Sequence, residues 1–188
     1  LNADKVAIVG QIAKWKGQDI FIQAAKCLHQ KYPELKFLII GDVLFNKEEE
    51  LNFKQTIIEE ASGCAAIQFL GHQGNVRPLL NDIDILVHAS VRPEPFGRVI
   101  IEGMAAKVPV IASGIGGPLE IIEHGLSGLL YQPGNVGGLV EAIEYLLTDK
   151  QGYQKIANQA YQRFQNKFTI EQTVSLVEKH IRLSVLKD

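Results

Sequence analysis

Cysteine is scarce, with two residues in a chain of 188. That excludes a disulfide-stapled scaffold, and neither Cys27 nor Cys64 has a Cys or His partner at metal-ligand spacing. Both read as reduced, mostly buried thiols of a reducing compartment. An excess of one charge is lacking too. Nineteen Lys and Arg stand against 21 Asp and Glu, a formal net charge of -2, which leaves no electrostatic footprint for nucleic acid or an anionic membrane. No apolar run reaches the ~18 residues of a membrane-spanning helix. The N-terminus lacks the basic region and apolar core of a secretion signal. A strand begins almost at once, at Lys5, as expected of a piece cut at a domain boundary.

Several catalytic signatures are missing as well. There is no G-x-G-x-x-G and no G-x-x-x-x-G-K-[ST], which disfavours an NAD enzyme and a P-loop ATPase. No Ser/His/Asp elbow supports hydrolase chemistry. The five histidines, His29, His72, His88, His124 and His180, show no metal-ligand spacing. Asp82-x-Asp84 has the form of a metal motif, but it falls at the amino end of a strand, the wrong edge of a sheet for a ligand. Both acids read as capping and loop residues, and no metal is expected.

What is present is ordinary in bulk. Hydrophobic residues make up 46% and charged residues 21%, the globular average, so disorder and a coiled coil are excluded. A chain of this length can bury roughly 70% of its unfolded surface. Apolar runs and helical periods alternate along it. Strands are expected at 5–9, 37–40, 66–70, 83–87, 108–112 and 128–131, with helices at 17–30, 47–61 (Asn46 as cap), 75–80, 97–107, 118–123, 136–147, 151–166 and 169–186. Strands that are apolar throughout and separated by helices predict a mostly parallel sheet covered on both faces. The fold class is therefore α/β, one doubly wound six-stranded domain over residues 1–188.

Ligands of such a sheet bind outside the carboxyl ends of its strands, and here those ends are rich in glycine. Gly10-Gln11 leads to Lys14, Lys16 and Gly17 after strand one. Gly41-Asp42 follows strand two, Gly71-His72 strand three, and Gly114, Gly116 and Gly117 strand five. Each glycine alone is turn chemistry; five such loops on one edge point to a ligand. Lys14 and Lys16 enter a helix, where a cation and free amides can meet a phosphate. His88 and His72 are the histidines nearest this edge, and His72 can contact a base or sugar. The loop after strand four is the most informative. Glu94-Pro95-Phe96-Gly97-Arg98 opens a helix whose first amides point outward, toward any anion. Glu94 is expected just outside that mouth. Glu102 is expected deeper and partly buried, where its carboxylate needs donors that sugar hydroxyls supply.

The segment from Glu94 to Glu102 resembles the E-x7-E signature of retaining, nucleotide-sugar-dependent glycosyltransferases of the GT-B fold, and among them glycosyltransferase family 4. Trp15-Lys16-Gly17, Phe69-Leu70-Gly71, Gly116 to Ile122 and Gly125 to Leu130 agree in order and spacing, so the resemblance covers nearly the whole chain. It implies one Rossmann-like half of a GT-B enzyme, the C-terminal donor-binding domain, with the N-terminal acceptor domain absent from the chain. It implies a hexosyltransferase that needs neither metal nor cofactor, its substrate being a nucleoside-diphosphate sugar, and whose isolated half is inactive. Glu102 would bind ribose hydroxyls and Glu94 the transferred sugar. Lys16 and the amides near Phe96 and Gly97 would hold the diphosphate, with Gly41 and Arg98 beside them, and Gly71-His72 would lie against the base. Such an enzyme is cytoplasmic, reaching the inner membrane face through the full-length protein. One departure stands out: the family usually carries Arg where this chain has Gln11, losing a charge-assisted contact of about 1–3 kcal/mol unless Lys14 replaces it. A non-catalytic nucleotide-binding or assembly module of the same fold is the alternative.

Overall fold

Short runs of β-branched and aliphatic residues form six strands: β1 Lys5–Val9, β2 Lys36–Ile40, β3 Ile67–Gly71, β4 Ile85–His88, β5 Val110–Ser113 and β6 Leu129–Tyr131. In the computed structural model, which describes residues 4–45 and 47–185 apart from the side chains at 180 and 183–185, these make one sheet in the order β3-β2-β1-β4-β5-β6. Every neighbouring pair is parallel. The order reverses direction between β1 and β4, so the loops leaving these two strands splay apart and open a crevice at the carboxyl edge.

The sheet is covered by α1 Gln18–Lys31, α2 Glu48–Ala61, α3 Arg77–Leu80, α4 Arg98–Ala105, α5 Pro118–Ile121, α6 Val136–Thr148, α7 Lys150–Lys167 and α8 Ile170–Val185. Alternate strand residues feed two separate cores. Val6, Ile8, Phe37, Ile39, Val87 and Ile111 pack beneath α1, α2 and α6. Ala7, Leu38, Ile40, Leu86, Val110 and Ala112 pack against α3, α4, α5 and α7. Phe21 and Phe37 meet edge to face at 5.9 Å in the first core, each fully buried and each contributing on the order of 2–3 kcal/mol by burial alone. Helix caps follow the local sequence: Asn135 accepts the amide of Gly138 at 3.0 Å and Asp149 that of Gly152 at 2.9 Å.

The doubly wound reading holds, with shifts of at most two residues at the element ends. Strand β3 takes in Gly71, β4 runs on to His88, and β5 begins at Val110, after Pro109, which has no N–H to give to a ladder. Asn46 and the His180 side chain lie outside the described residues; the second helix starts at Glu48, with three glutamates in its first turn. The thiols are not mostly buried as expected. Cys27 is exposed and Cys64 half-buried, because Cys27 falls on the solvent face of α1, whose inward side carries Phe21, Ala24, Ala25 and Leu28.

Asp82 and Asp84 act at the amino edge. Asp84 Oδ2 accepts the amides of Asp4 and Lys5 at 2.8 and 2.9 Å, and Asp82 pairs with Lys5. They clamp the start of β1 to that of β4, far from the crevice.

Candidate functional site

Two glycines set the approach of the loops. Gly17 has φ +73, and a Cβ there would stand 2.1 Å from the Ala89 carbonyl oxygen. Gly41 has φ +136, and its Cβ would stand 1.8 Å from the Gly10 carbonyl oxygen. Without side chains at these points the β1 exit packs directly on the β4 and β2 exits. A 3-10 turn over Lys14–Lys16 precedes α1, and the Val91 amide donates to the Trp15 carbonyl at 2.8 Å. That turn delivers Lys16 to the loop carrying Glu94, 78 residues away in sequence.

Glu94 is the most heavily bonded carboxylate of this edge. Lys16 Nζ reaches both of its oxygens at 2.8 Å. His88 Nε2 lies 2.7 Å from Oε2, and the Ser90 hydroxyl donates to the same oxygen at 3.0 Å. Ser90 is held in turn, its carbonyl accepting from Ser113 Oγ at 2.7 Å. The Glu94 carbonyl accepts the Gly117 amide at 2.8 Å, which ties the loop to that after β5. Burial by itself would raise the Glu94 carboxyl. The hydrogen bonds from His88 and Lys16, with the charge of Lys16, outweigh it and bring the pKa down to about 2. Lys16 also stacks on the Trp15 ring at 4.2 Å.

Of these residues Lys16 and Glu94 border a cleft of about 410 Å³, which is lined also by Gln11, Gly41, Asp42, His72, Gln73, Arg98 and Glu102. The structure thus brings the two glutamates to one cavity, together with Gln11, Lys16, Gly41, His72 and Arg98. Gly71 is the last residue of β3, immediately before His72. Pro95, Phe96 and Gly97 do not line this cavity. Phe96 is half-exposed, and Gly97, at φ +88, is the residue before α4. Helix geometry leaves the amides of Arg98 and Val99, both on the cleft, without intrahelical acceptors.

The relative depth of the glutamates is the reverse of the expectation. The Glu94 side chain is 14% exposed and that of Glu102 35%. Glu94 is drawn inward by its three donors, whereas Glu102 has Arg98 Nη2 at 3.5 Å. Asp42 adds a further acid, held below its usual range by the hydrogen bond from Lys54 at 2.6 Å.

Gln11 donates through Nε2 to Glu50 Oε1 at 2.9 Å, and its own carbonyl accepts from Gln18. Lys14 does not take its place in the cleft; it lines a neighbouring depression of about 320 Å³ with Trp15, Lys47 and Arg92. His88 and Ser90 carry no role read from the sequence, and Glu50, which with Glu48 and Glu49 reads as a complement to the helix dipole, also bonds Gln11. A histidine at the last position of a buried strand, beside the exit loop of the switch point, was the available signal. Among the described residues, no group of three or more His, Cys, Asp or Glu is arranged to hold a metal ion, and no helix is long and apolar enough to cross a membrane.

The model of the family "Glycosyl transferases group 1" matches residues 2–163. The N-acetyl-alpha-D-glucosaminyl L-malate synthase of Bacillus anthracis is 35% identical over 176 residues, covering 91% of this chain and 42% of that protein. The crystal structure of Anabaena Alr3699/HepE in complex with UDP superposes with a TM-score of 0.88 at 30% identity, over 96% of this chain and 49% of that one. The C-terminal domain of the group 1 protein LpcC of Francisella tularensis superposes with a TM-score of 0.77 at 29% identity, over 89% of this chain and 87% of that one. The chain spans about half the length of the curated relatives it matches. It belongs to the glycosyl transferases group 1 family, and its fold is that of the C-terminal domain of a GT-B glycosyltransferase.

Proposed function

We propose that this domain is the donor-binding half of a retaining glycosyltransferase, which moves a sugar from a nucleoside-diphosphate sugar to an acceptor hydroxyl. The observation that carries the reading is that Lys16, Glu94, Glu102, Gly41 and His72 share one cleft at the switch point. The Anabaena relative, crystallised with UDP and with UDP-glucose, makes a uridine donor the first to test. In this assignment the half-exposed Glu102 accepts hydrogen bonds from the ribose hydroxyls, and the base lies along Gly71 and His72. The diphosphate lies against Lys16 and the first amides of α4 beside Phe96, Gly97 and Arg98, with Gly41 allowing close approach. Glu94 grips the hydroxyls of the transferred sugar.

Breaking the sugar–phosphate bond builds positive charge on the sugar and negative charge on the leaving diphosphate. Lys16 and the helix amides stabilise the second without a metal or cofactor. Glu94 serves as a positioning group rather than a nucleophile. A carboxylate with a pKa of about 2 that already accepts from Lys16, His88 and Ser90 is a weak base and a weak nucleophile. The acceptor and the residues that activate it belong to a second, N-terminal domain, so the isolated half binds donor and transfers nothing. On this reading the full-length enzyme is cytoplasmic and meets a membrane face only through that other domain.

Calorimetry with UDP, GDP and ADP tests the site. Binding of one of them in the micromolar-to-millimolar range is expected, and silence from all three at millimolar ligand overturns the assignment. In the full-length enzyme, Glu94→Ala and Glu102→Ala should each lower transfer by on the order of tenfold or more; wild-type rates in both variants would remove these residues from the site.

A further inference from the structure

His88 closes β4 at the switch point and is 4% exposed. Its Nε2 lies 2.7 Å from Glu94 Oε2 and 3.2 Å from Ser90 Oγ. Its Nδ1 is buried and has no hydrogen-bond partner among the described residues. The neighbours decide which nitrogen carries the proton. An ionised carboxylate only accepts, and Ser90 spends its one hydroxyl proton on the same Oε2. A bare Nε2 would therefore set lone pair against lone pair at 2.7 Å. A second proton, on Nδ1, would bury an N–H with nothing to receive it. The charge on Glu94 is already met by Lys16. The ring is consistent with one tautomer, Nε2–H with a bare Nδ1.

This tautomer makes the two oxygens of Glu94 unequal. Oε2 accepts from Lys16, His88 and Ser90, more donors than the roughly two lone-pair sites of one oxygen take comfortably. Oε1 accepts from Lys16 and has acceptor capacity left. We propose that His88 is a positioning residue: its Nε2–H pins Glu94 Oε2 against β4, so that Oε1 is the oxygen presented to the hydroxyls of the transferred sugar. The proposal rests on the sugar-gripping role given to Glu94 above. The charged and titratable groups that share the cleft with the carboxylate are Lys16 from the 3-10 turn, Asp42 and His72 from the exits of β2 and β3, and Arg98 and Glu102 from α4. The β5 residue paired with His88 is the apolar Ala112.

The test uses this chain with His88→Phe, which keeps a ring but has no donor, and His88→Gln, whose side-chain amide can place an N–H near the lost Nε2. Nitrogen NMR of the wild-type ring needs no ligand. It should show a proton on Nε2; a ring protonated on Nδ1 alone overturns the proposal. Carbon NMR of the Glu94 carboxyl should show its titration midpoint raised in His88→Phe and restored in His88→Gln; an unmoved midpoint also overturns it.

In calorimetry, His88→Phe should bind UDP within about twofold of wild type and UDP-glucose about tenfold more weakly, with recovery in His88→Gln. Equal UDP-glucose affinity in wild type and His88→Phe refutes the positioning role while leaving the donor site standing. Failure of the wild type to bind either ligand, or the GDP and ADP pairs, overturns the donor reading and with it the sugar-facing role of Oε1; the ring spectrum still decides the His88–Glu94 bond. Should His88→Phe fail to fold, the wild-type ring spectrum and His88→Gln carry the decision.

Discussion

Glu94→Gln keeps the shape of the side chain and removes the charge that Lys16 faces. The two groups are 14% and 18% exposed, so both have lost most of their water. The Glu94 carboxyl titrates at about 2 instead of its ordinary 4.5, which corresponds to about 3 kcal/mol of folded-state stabilisation. The cleft mouth is open to solvent and screens part of this, leaving about 2 kcal/mol. The sign follows from proton binding. The folded pKa is depressed, so on acidification the unfolded chain takes up the proton first. The contribution is complete above about pH 4.5 and drains away as the pH falls through about 2. Urea unfolding at pH 7, 5, 4 and 3 should therefore find the variant about 2 kcal/mol less stable at pH 7, with the gap shrinking below pH 4.5. A gap of the same size at pH 7 and pH 3 would show that shape rather than charge is at work. No gap at pH 7 would refute the ion-pair reasoning.

Three further outcomes are expected. Gly17→Ala places a Cβ 2.1 Å from the Ala89 carbonyl at φ +73 and should cost about 3 kcal/mol or more in urea unfolding; a loss under 1 kcal/mol would mean that the loop relaxes freely. Gln11→Arg alone should change UDP affinity less than about twofold, because the guanidinium pairs with Glu50, which Gln11 now contacts; Gln11→Arg with Glu50→Gln should tighten UDP by about tenfold, and an equal gain from the single variant would contradict this. Glu102→Ala should weaken UDP about tenfold in calorimetry while leaving thermal stability nearly unchanged, since the side chain is 35% exposed with one long contact to Arg98; unchanged UDP affinity would take Glu102 out of the ribose site.

The site was legible as a set and not as a network. Loop position put Gln11, Lys16, Gly41, His72 and Glu94 at one edge, and the helix opening after the fourth loop added Arg98 and Glu102; they do line one cleft. Their internal order was not readable. Glu94 looked like the outer acid and is the inner one, because His88 and Ser90 stand behind it. Lys14 and Lys16, two residues apart, serve different depressions, since a 3-10 turn sends neighbouring side chains in different directions. Cys27 reads from the sequence as a mostly buried thiol, but it sits on the wet side of its helix.

Hydrophobic periodicity is local information, and it alone determined the elements, their order and the two-faced burial of the sheet. A strand apolar on both sides must be covered twice, and helices between such strands provide the cover. Which loops become neighbours depends on strand order, and β1 lies beside β4 only in the folded sheet. The pairing of Lys16 with Glu94, the bond from His88 and the contact of Gln11 with Glu50 are all such long-range products. A side chain's partner is decided by the three-dimensional path of the backbone, and no short window of residues contains it.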